Sequence, residues 1–426
     1  MTNEGQLGRK LAMYQAATQM VVRALMYAAV LLVLPSFISI TSSAAYADIV
    51  MLSTLAAVST QLDGGHATSL LTLLTSPQMR DDPYLIRAAA KTALMGTLKW
   101  AACCSLIFCL GVLGSGREPG SENFGWMLLC GIAISSACAV SNTAAKIIFV
   151  KNFSLQSSVF LITGPLLTLG LLLTLRIQHL TGLLAITFSF LAGYTINIFS
   201  SAWIIRLRGQ KKALSKYLVD VDMPKVESRY WILLTQIVSI LIVVKNPILI
   251  KVISGDVALS TLSIYMACYT LMLAPVAAMQ IPMIIGFKKL SQCNPVVLFP
   301  AFLIHRLSQA VAMTAFVGFI IFIAVWTNPF NLYSTISSHV SIWGLLGAAS
   351  SAVIASISIV IALYLTAIGR LRFLAFSAIF VLTVDITVIL TFTSTAGGLS
   401  PLLSIMAANV LSVFVFMFFA RSLRQN

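Results

Sequence analysis

Acidic side chains are nearly missing from this chain. Asp and Glu together number 12 in 426 residues, and charged residues of all kinds make up only 9%. A soluble chain of this length needs far more polar surface to stay dissolved. The spacings that mark common chemistries are also absent. There is no CxxC pair and no His/Cys ligand cluster, so no metal site is expected. There is no HExxH, no hydrolase triad and no Walker lysine behind a glycine loop, so neither an enzyme nor an ATP-driven machine is expected. No catalytic residue is assigned and no cofactor is expected. The strict short-range alternation of a membrane β-barrel is missing as well. The seven cysteines are scattered, mostly in apolar segments (Cys103, Cys104, Cys109, Cys130, Cys138, Cys268), and read as small apolar core residues.

What remains is apolar sequence. Hydrophobic residues make up 59% of the chain, with a mean hydropathy of +0.97. Apolar runs of ~18 residues or more read as bilayer-spanning helices, and they follow one another along the whole chain. The expected class is an all-α polytopic membrane protein with twelve spans. They lie near 22–41, 48–74, 91–114, 124–149, 155–175, 181–205, 230–250, 257–285, 298–326, 341–367, 372–394 and 399–420. The polar start, MTNEGQLGRKLAMYQ, leads into a run without a small-residue cleavage site, so it reads as a retained first span.

The net charge is +15, but its distribution is more informative than its sum. One set of connections carries Arg9, Lys10, Arg80, Arg87, Lys151, the run RLRGQKKALSKYLVDVDMPKVESR, Lys288, Lys289, Arg370, Arg372, Arg421 and Arg424. The alternate set carries little beyond Arg117, Arg176 and Lys251. Lys and Arg are retained on the cytoplasmic side during insertion, which predicts both termini in the cytoplasm. No nucleic-acid partner is expected. The basic stretch 206–229 would join an N-terminal six-helix lobe, 1–205, to a C-terminal one, 230–426. That stretch reads as positive-inside charge or as a contact for anionic headgroups.

The halves resemble each other. LPSFISITSSAAYADIVMLSTL ends span one and NPILIKVISGDVALSTLSIYM ends span seven, with Pro35 against Pro247. A 6+6 repeat is a common transporter plan. Prolines at matching places are candidate hinges, or simple packing kinks. Gly64 and Gly65 permit close helix approach or a local break in span two.

Ionised side chains inside a bilayer cost roughly 2.5–3.5 kcal/mol each on insertion scales, so they face a bundle interior or a wet cavity. Asp63 and Lys99 fall in spans two and three, Lys245 and Asp385 in spans seven and eleven. Either these are neutralised pairs, Asp63–Lys99 and Lys245–Asp385, that fix helix orientation, or they line a hydrophilic cavity for a polar or anionic substrate. In the second reading the lysines meet phosphate or carboxylate, and a carboxylate takes up H+ or Na+ as coupling ion. His66 lies one turn from Asp63 and serves either as a packing residue or in a proton relay. Arg23, Lys146 and Arg306 lie near cytoplasmic ends of their spans, where they snorkel to headgroups or line an inward-open mouth.

With the spans placed, the chain resembles the bacterial polysaccharide and O-antigen flippases of the multidrug/oligosaccharidyl-lipid/polysaccharide exporter superfamily. QLDGG at 61–65 resembles the family's L-D-x-G segment. NPILIKVISGDVALSTLSIY at 246–265 resembles its D-P-I-L-I segment, with Pro247, Gly255 and Tyr265 matching. Asn246 stands where many members have Asp, and Gly64 where leucine or phenylalanine is usual. The resemblance implies a MATE-like, V-shaped pair of lobes and alternating access. It implies a multi-pass protein of the bacterial inner membrane that turns a polyprenyl-pyrophosphate-linked oligosaccharide from the cytoplasmic to the periplasmic leaflet. Membrane lipids and the polysaccharide polymerase and export machinery would be its partners. A multidrug or small-solute cation-coupled antiporter on the same fold is the alternative.

Overall fold

The computed structural model describes mainly residues 91–103, 129–144, 155–209, 262–287, 298–327, 341–396 and 403–415, with short omissions, and scattered positions in 17–25 and 231–238. Five helices are continuous. They are α1 (Leu155–Ile177), α2 (Leu183–Gly209), α3 (Leu298–Thr327), α4 (Ile342–Ala367) and α5 (Leu371–Ala396). Shorter apolar helical stretches occupy Leu129–Ser141, Ile264–Ala277 and Met406–Val415. No strand occurs among the described residues. Among the described residues, stretches long and apolar enough to cross a membrane lie in four helices: Leu184–Trp203, Phe302–Ile323, Ile342–Ala367 and Leu371–Thr391. The five continuous helices coincide with expected spans five, six, nine, ten and eleven. Most of the expected linker, 206–229, lies outside the described residues, although α2 runs on to Gly209.

Many large side chains face outward, and small residues share the interior with the large ones. In α2 the large side chains Phe188, Phe199 and Trp203 point outward, whereas Thr187, Ser189, Gly193 and Ser201 are buried. In α3 Phe316 and Phe319 are exposed while Ala310, Thr314 and Gly318 are inside. In α5 Phe376 and Phe380 are exposed beside buried Ala375 and Ser377. Lipid tails are as apolar as phenylalanine, so nothing drives large side chains inward. Small residues let backbones approach and gain dispersion contacts instead. Hydroxyls that face outward bond within their own helix. Thr383, Thr387 and Thr391 donate to the carbonyls of Ile379, Thr383 and Thr387 at 3.1, 2.9 and 2.7 Å. Each buries a donor that lipid cannot satisfy. The protein is a multi-pass membrane protein.

The described residues form two compact units, one up to Val238 and the other from Leu262 onward. In the first, α1 and α2 pack as a hairpin through two glycines. A β-carbon on Gly164 would strike the Asn197 amide and the Gly193 carbonyl. One on Gly193 would strike the Thr168 hydroxyl and lie 2.7 Å from the Gly164 carbonyl. Only hydrogen fits at that crossing. Pro165, next to Gly164, removes one N–H from the middle of α1 without ending it. The hairpin closes through His179, which sits in the left-handed region at φ 56°. This lets the Leu180 N–H reach back to the Leu175 carbonyl at 2.9 Å, as at many helix ends.

In the second unit, the stretch 264–287 packs against both α3 and α4. At one end Tyr265, Cys268 and Met272 meet Ile321 of α3 with Leu345, Ala348 and Ala352 of α4. At the other, Val276, Met283 and Phe287 meet Ala310 and Val360. That stretch therefore runs parallel to α4 and antiparallel to α3. Short turns follow α4, so α3 begins, α4 ends and α5 begins at one end of the unit. From residue 298 to 415 the only Lys or Arg side chains are Arg306, Arg370 and Arg372. All three fall at that end.

Candidate functional site

Asp385 is the one acid between residues 298 and 420, and it is fully buried, with 0% exposure. It stands 14 residues after Leu371, about 21 Å along α5, well inside a membrane-spanning helix. A polar chain from three other elements leads up to it through Tyr269. Tyr269, from the Ile264–Ala277 helix, is within electrostatic reach of the carboxylate, and its phenol is hydrogen-bonded to the Asn409 side chain. Asn409 lies on the Met406–Val415 helix, and its backbone carbonyl accepts a 3.1 Å bond from the Ser358 hydroxyl of α4. Four helices thus bring an aspartate, a tyrosine, an asparagine and a serine into one apolar bundle. A charge in such a place is expensive, and buried ionisable groups inside membranes are characteristically functional. A buried carboxylate with a phenol within electrostatic reach suits the uptake of a proton.

Tyr265 occupies a second constrained position in the same unit. It is 2% exposed, and its ring lies against Gly344, where a β-carbon would collide with it. Its hydroxyl accepts from the Ser341 N–H at 2.8 Å and lies 3.3 Å from the Ser341 hydroxyl. Ser341 in turn caps α4 by accepting from the Gly344 N–H at 3.0 Å. The tyrosine matched by sequence is thus a latch on the start of α4.

Lys99 lies on a described helical stretch, whereas its expected partner Asp63 is outside the described residues. Ala93, Thr97 and Ala101 form the buried face of its helix, and Thr97 meets Thr143 at 3.2 Å. Lys99 is on the other side, exposed beside Met95 and Leu98. No carboxylate pairs with it among the described residues. Arg306, on α3, is half-buried. Its guanidinium lies 4.7 Å from the centre of the Phe302 ring, and Nη1 donates to Gln309 Oε1 at 2.9 Å. Asp63, His66, Lys245, Arg23, Lys146, Pro35, Pro247, Gly64 and Gly65 lie outside the described residues. Among the described residues no group of three His, Cys, Asp or Glu side chains could hold a metal. Cys130, Cys138 and Cys268 are buried as expected, whereas Cys103 is exposed.

An open groove of about 650 Å³ lies at the hairpin end of α1 and α2, lined mainly by Leu171, Leu175, Gln178, Leu184 and Phe188. It contains none of the candidate side chains. Tyr269, Asn409 and Ser358 are uncharged, so little in the sequence marks them. The signal available was weak: a tyrosine, an asparagine and a serine within apolar spans.

Neither a protein-family model nor a curated protein matches the chain by sequence. Solved structures do match it. A MATE transporter in complex with MaL6 aligns with a TM-score of 0.71 at 12% identity, over 100% of both chains. MATE in the bent conformation aligns with a TM-score of 0.68 at 11% identity, over 100% of this chain and 99% of that one. A MOP superfamily transporter from Pyrococcus furiosus, described as having a binding pocket of reverse polarity that suggests a different function, aligns at 0.70 and 12% identity, over 97% and 95%.

This chain has the fold of the MATE transporters. The likeness runs from end to end. At 11–12% identity it is a statement about architecture alone, and the candidate side chains have to be argued on their own chemistry.

Proposed function

We propose that this protein is a secondary transporter of the bacterial inner membrane. Its cargo in this reading is a polyprenyl-pyrophosphate-linked oligosaccharide, moved from the cytoplasmic to the periplasmic leaflet by alternating access. The observation that carries the transport reading is the full-length match to transporter folds. Neighbours of this fold are described in both outward-facing and inward-facing conformations, which is the pair of states alternating access requires.

The anionic cargo is supported by sequence chemistry. Bases set within the apolar spans of the sequence are as numerous as acids, with Lys99 and Lys245 against Asp63 and Asp385. A cation exporter favours an acid-rich, aromatic site. The Pyrococcus furiosus neighbour, with its pocket of reverse polarity, is a precedent for a change of substrate charge on this fold. The lysines would take the diphosphate, and the apolar tail would stay in lipid. Asp385, with Tyr269, Asn409 and Ser358, would take up the coupling H+ or Na+.

A multidrug or small-solute antiporter is the second reading, favoured by neighbours described as multidrug resistance transporters. Variants separate the two. Lys99→Gln and Lys245→Gln should each lower export of lipid-linked sugar about tenfold or more at equal expression, from loss of a charge-assisted phosphate contact. Arg117→Gln should leave it near wild type. Equal export by all three variants would remove the lysines from the cargo site. Resistance to organic cations, lost in a null strain that still exports its glycan, would favour the second reading.

A further inference from the structure

Among the described residues, no carboxylate pairs with Arg306. It lies one turn inside the apolar stretch Phe302–Ile323. Asp385 is the only acid on α3, α4 or α5, and no ion pair involves Arg306 among the described residues. Yet the side chain is held firmly. Phe302, one turn earlier, stacks against the guanidinium at 4.7 Å, and Gln309, three residues later, accepts from Nη1 at 2.9 Å. Phe302 is itself fixed by Phe287 in an edge contact at 5.4 Å, and Phe287 packs on Tyr364 of α4 at 5.7 Å. Nε is buried and has no acceptor. The guanidinium has thus been oriented and partly desolvated with donors still unfilled. On the flanking face of α3, Ile304 is 64% exposed, and His305 and Ser308 are exposed too. An anion approaching from the bilayer side meets a pre-set cation there.

We propose that Arg306 is the anchor of a binding site for the phosphate of an anionic phospholipid headgroup, on the arginine-bearing end of this helical unit. Three features fit that ligand. A planar guanidinium matches phosphate oxygens better than an ammonium does. Arg370, at the same end, lies within electrostatic reach of Tyr364 and adds a second positive charge to the field. Basic pockets between membrane helices, one turn below the headgroup level, are where anionic lipids bind. The site is independent of the transport reading and removes Arg306 from the substrate path.

The test uses the full-length protein, purified in detergent and stripped of lipid. Its unfolding midpoint is followed by tryptophan fluorescence against added phosphatidylglycerol, phosphatidylcholine, inorganic phosphate and undecaprenyl phosphate. Phosphatidylglycerol should raise the midpoint of the wild type at the lowest concentration of the four. Arg306→Gln should need about tenfold more of it for half the effect. Arg306→Lys and Phe302→Leu should fall between, because each keeps part of the site, and they carry the test if Arg306→Gln does not fold. Arg176→Gln, in the other unit, should titrate like wild type. Coincident titrations for wild type, Arg306→Lys and Phe302→Leu would overturn the proposal. So would stabilisation by undecaprenyl phosphate alone, which would return Arg306 to the cargo.

Discussion

Tyr265 shows how one side chain can hold two helices in register. Its hydroxyl accepts from the Ser341 backbone, and its ring fills the space that Gly344 leaves open. Tyr265→Phe keeps the ring and leaves the Ser341 N–H without its acceptor, so a loss of about 1–3 kcal/mol is expected. Gly344→Ala keeps the hydroxyl and drives the ring out, and it should cost at least as much. Both are read as a fall in the thermal midpoint of the purified protein. Asp385 is expected to behave oppositely. Asp385→Asn removes a costly buried charge while keeping shape, so the midpoint should stay within a few degrees or rise. Transport should fall and lose its dependence on the coupling ion, as measured in proteoliposomes with imposed gradients. A collapse of the fold with no effect on the residual ion dependence would make Asp385 structural. Asp385 was legible in the sequence because a carboxylate in an apolar run stands out. Ser358 and Asn409 were not, because a membrane hydroxyl usually bonds its own helix, as Thr383 and Thr387 do. Only the tertiary contact shows that Ser358 reaches another helix instead.

At the scale of the helix, length was easy to read and orientation was not. The expected span 298–326 became α3 at Leu298–Thr327, and 372–394 became α5 at Leu371–Ala396, since an unbroken apolar run has few other options in lipid. Which side faces inward is harder, because a helix that is hydrophobic all round has no amphipathic stripe to reveal it. The small residues Ala93, Thr97 and Ala101, four apart, mark the buried face of their helix, and Lys99 stands on the opposite, exposed face. The same reasoning gives weight to the glycines of the α1–α2 crossing. Gly193→Ala should cost about 1–3 kcal/mol by forcing Thr168 and the Gly164 backbone away. Gly170→Ala, on the same hairpin but facing open space, should cost nothing measurable. Equal melting of the two variants would mean that the hairpin is not closely packed.

In the second unit, Arg306, Arg370 and Arg372 all lie at the end where α3 begins and α5 begins. Positive-inside insertion would set that end toward the cytoplasm. The fold is shared with MATE transporters over the whole chain, while the candidate chemistry is this chain's own. The direct measurement is leaflet exchange by the purified protein in sealed proteoliposomes. A fluorescent polyprenyl-pyrophosphate oligosaccharide is placed in one leaflet and quenched from the other side over time. Protein-dependent appearance in the opposite leaflet, slowed by Asp385→Asn and by Lys99→Gln, is the expected result. A rate equal to that of empty liposomes, under every ion gradient and with the same preparation accumulating organic cations, would contradict it.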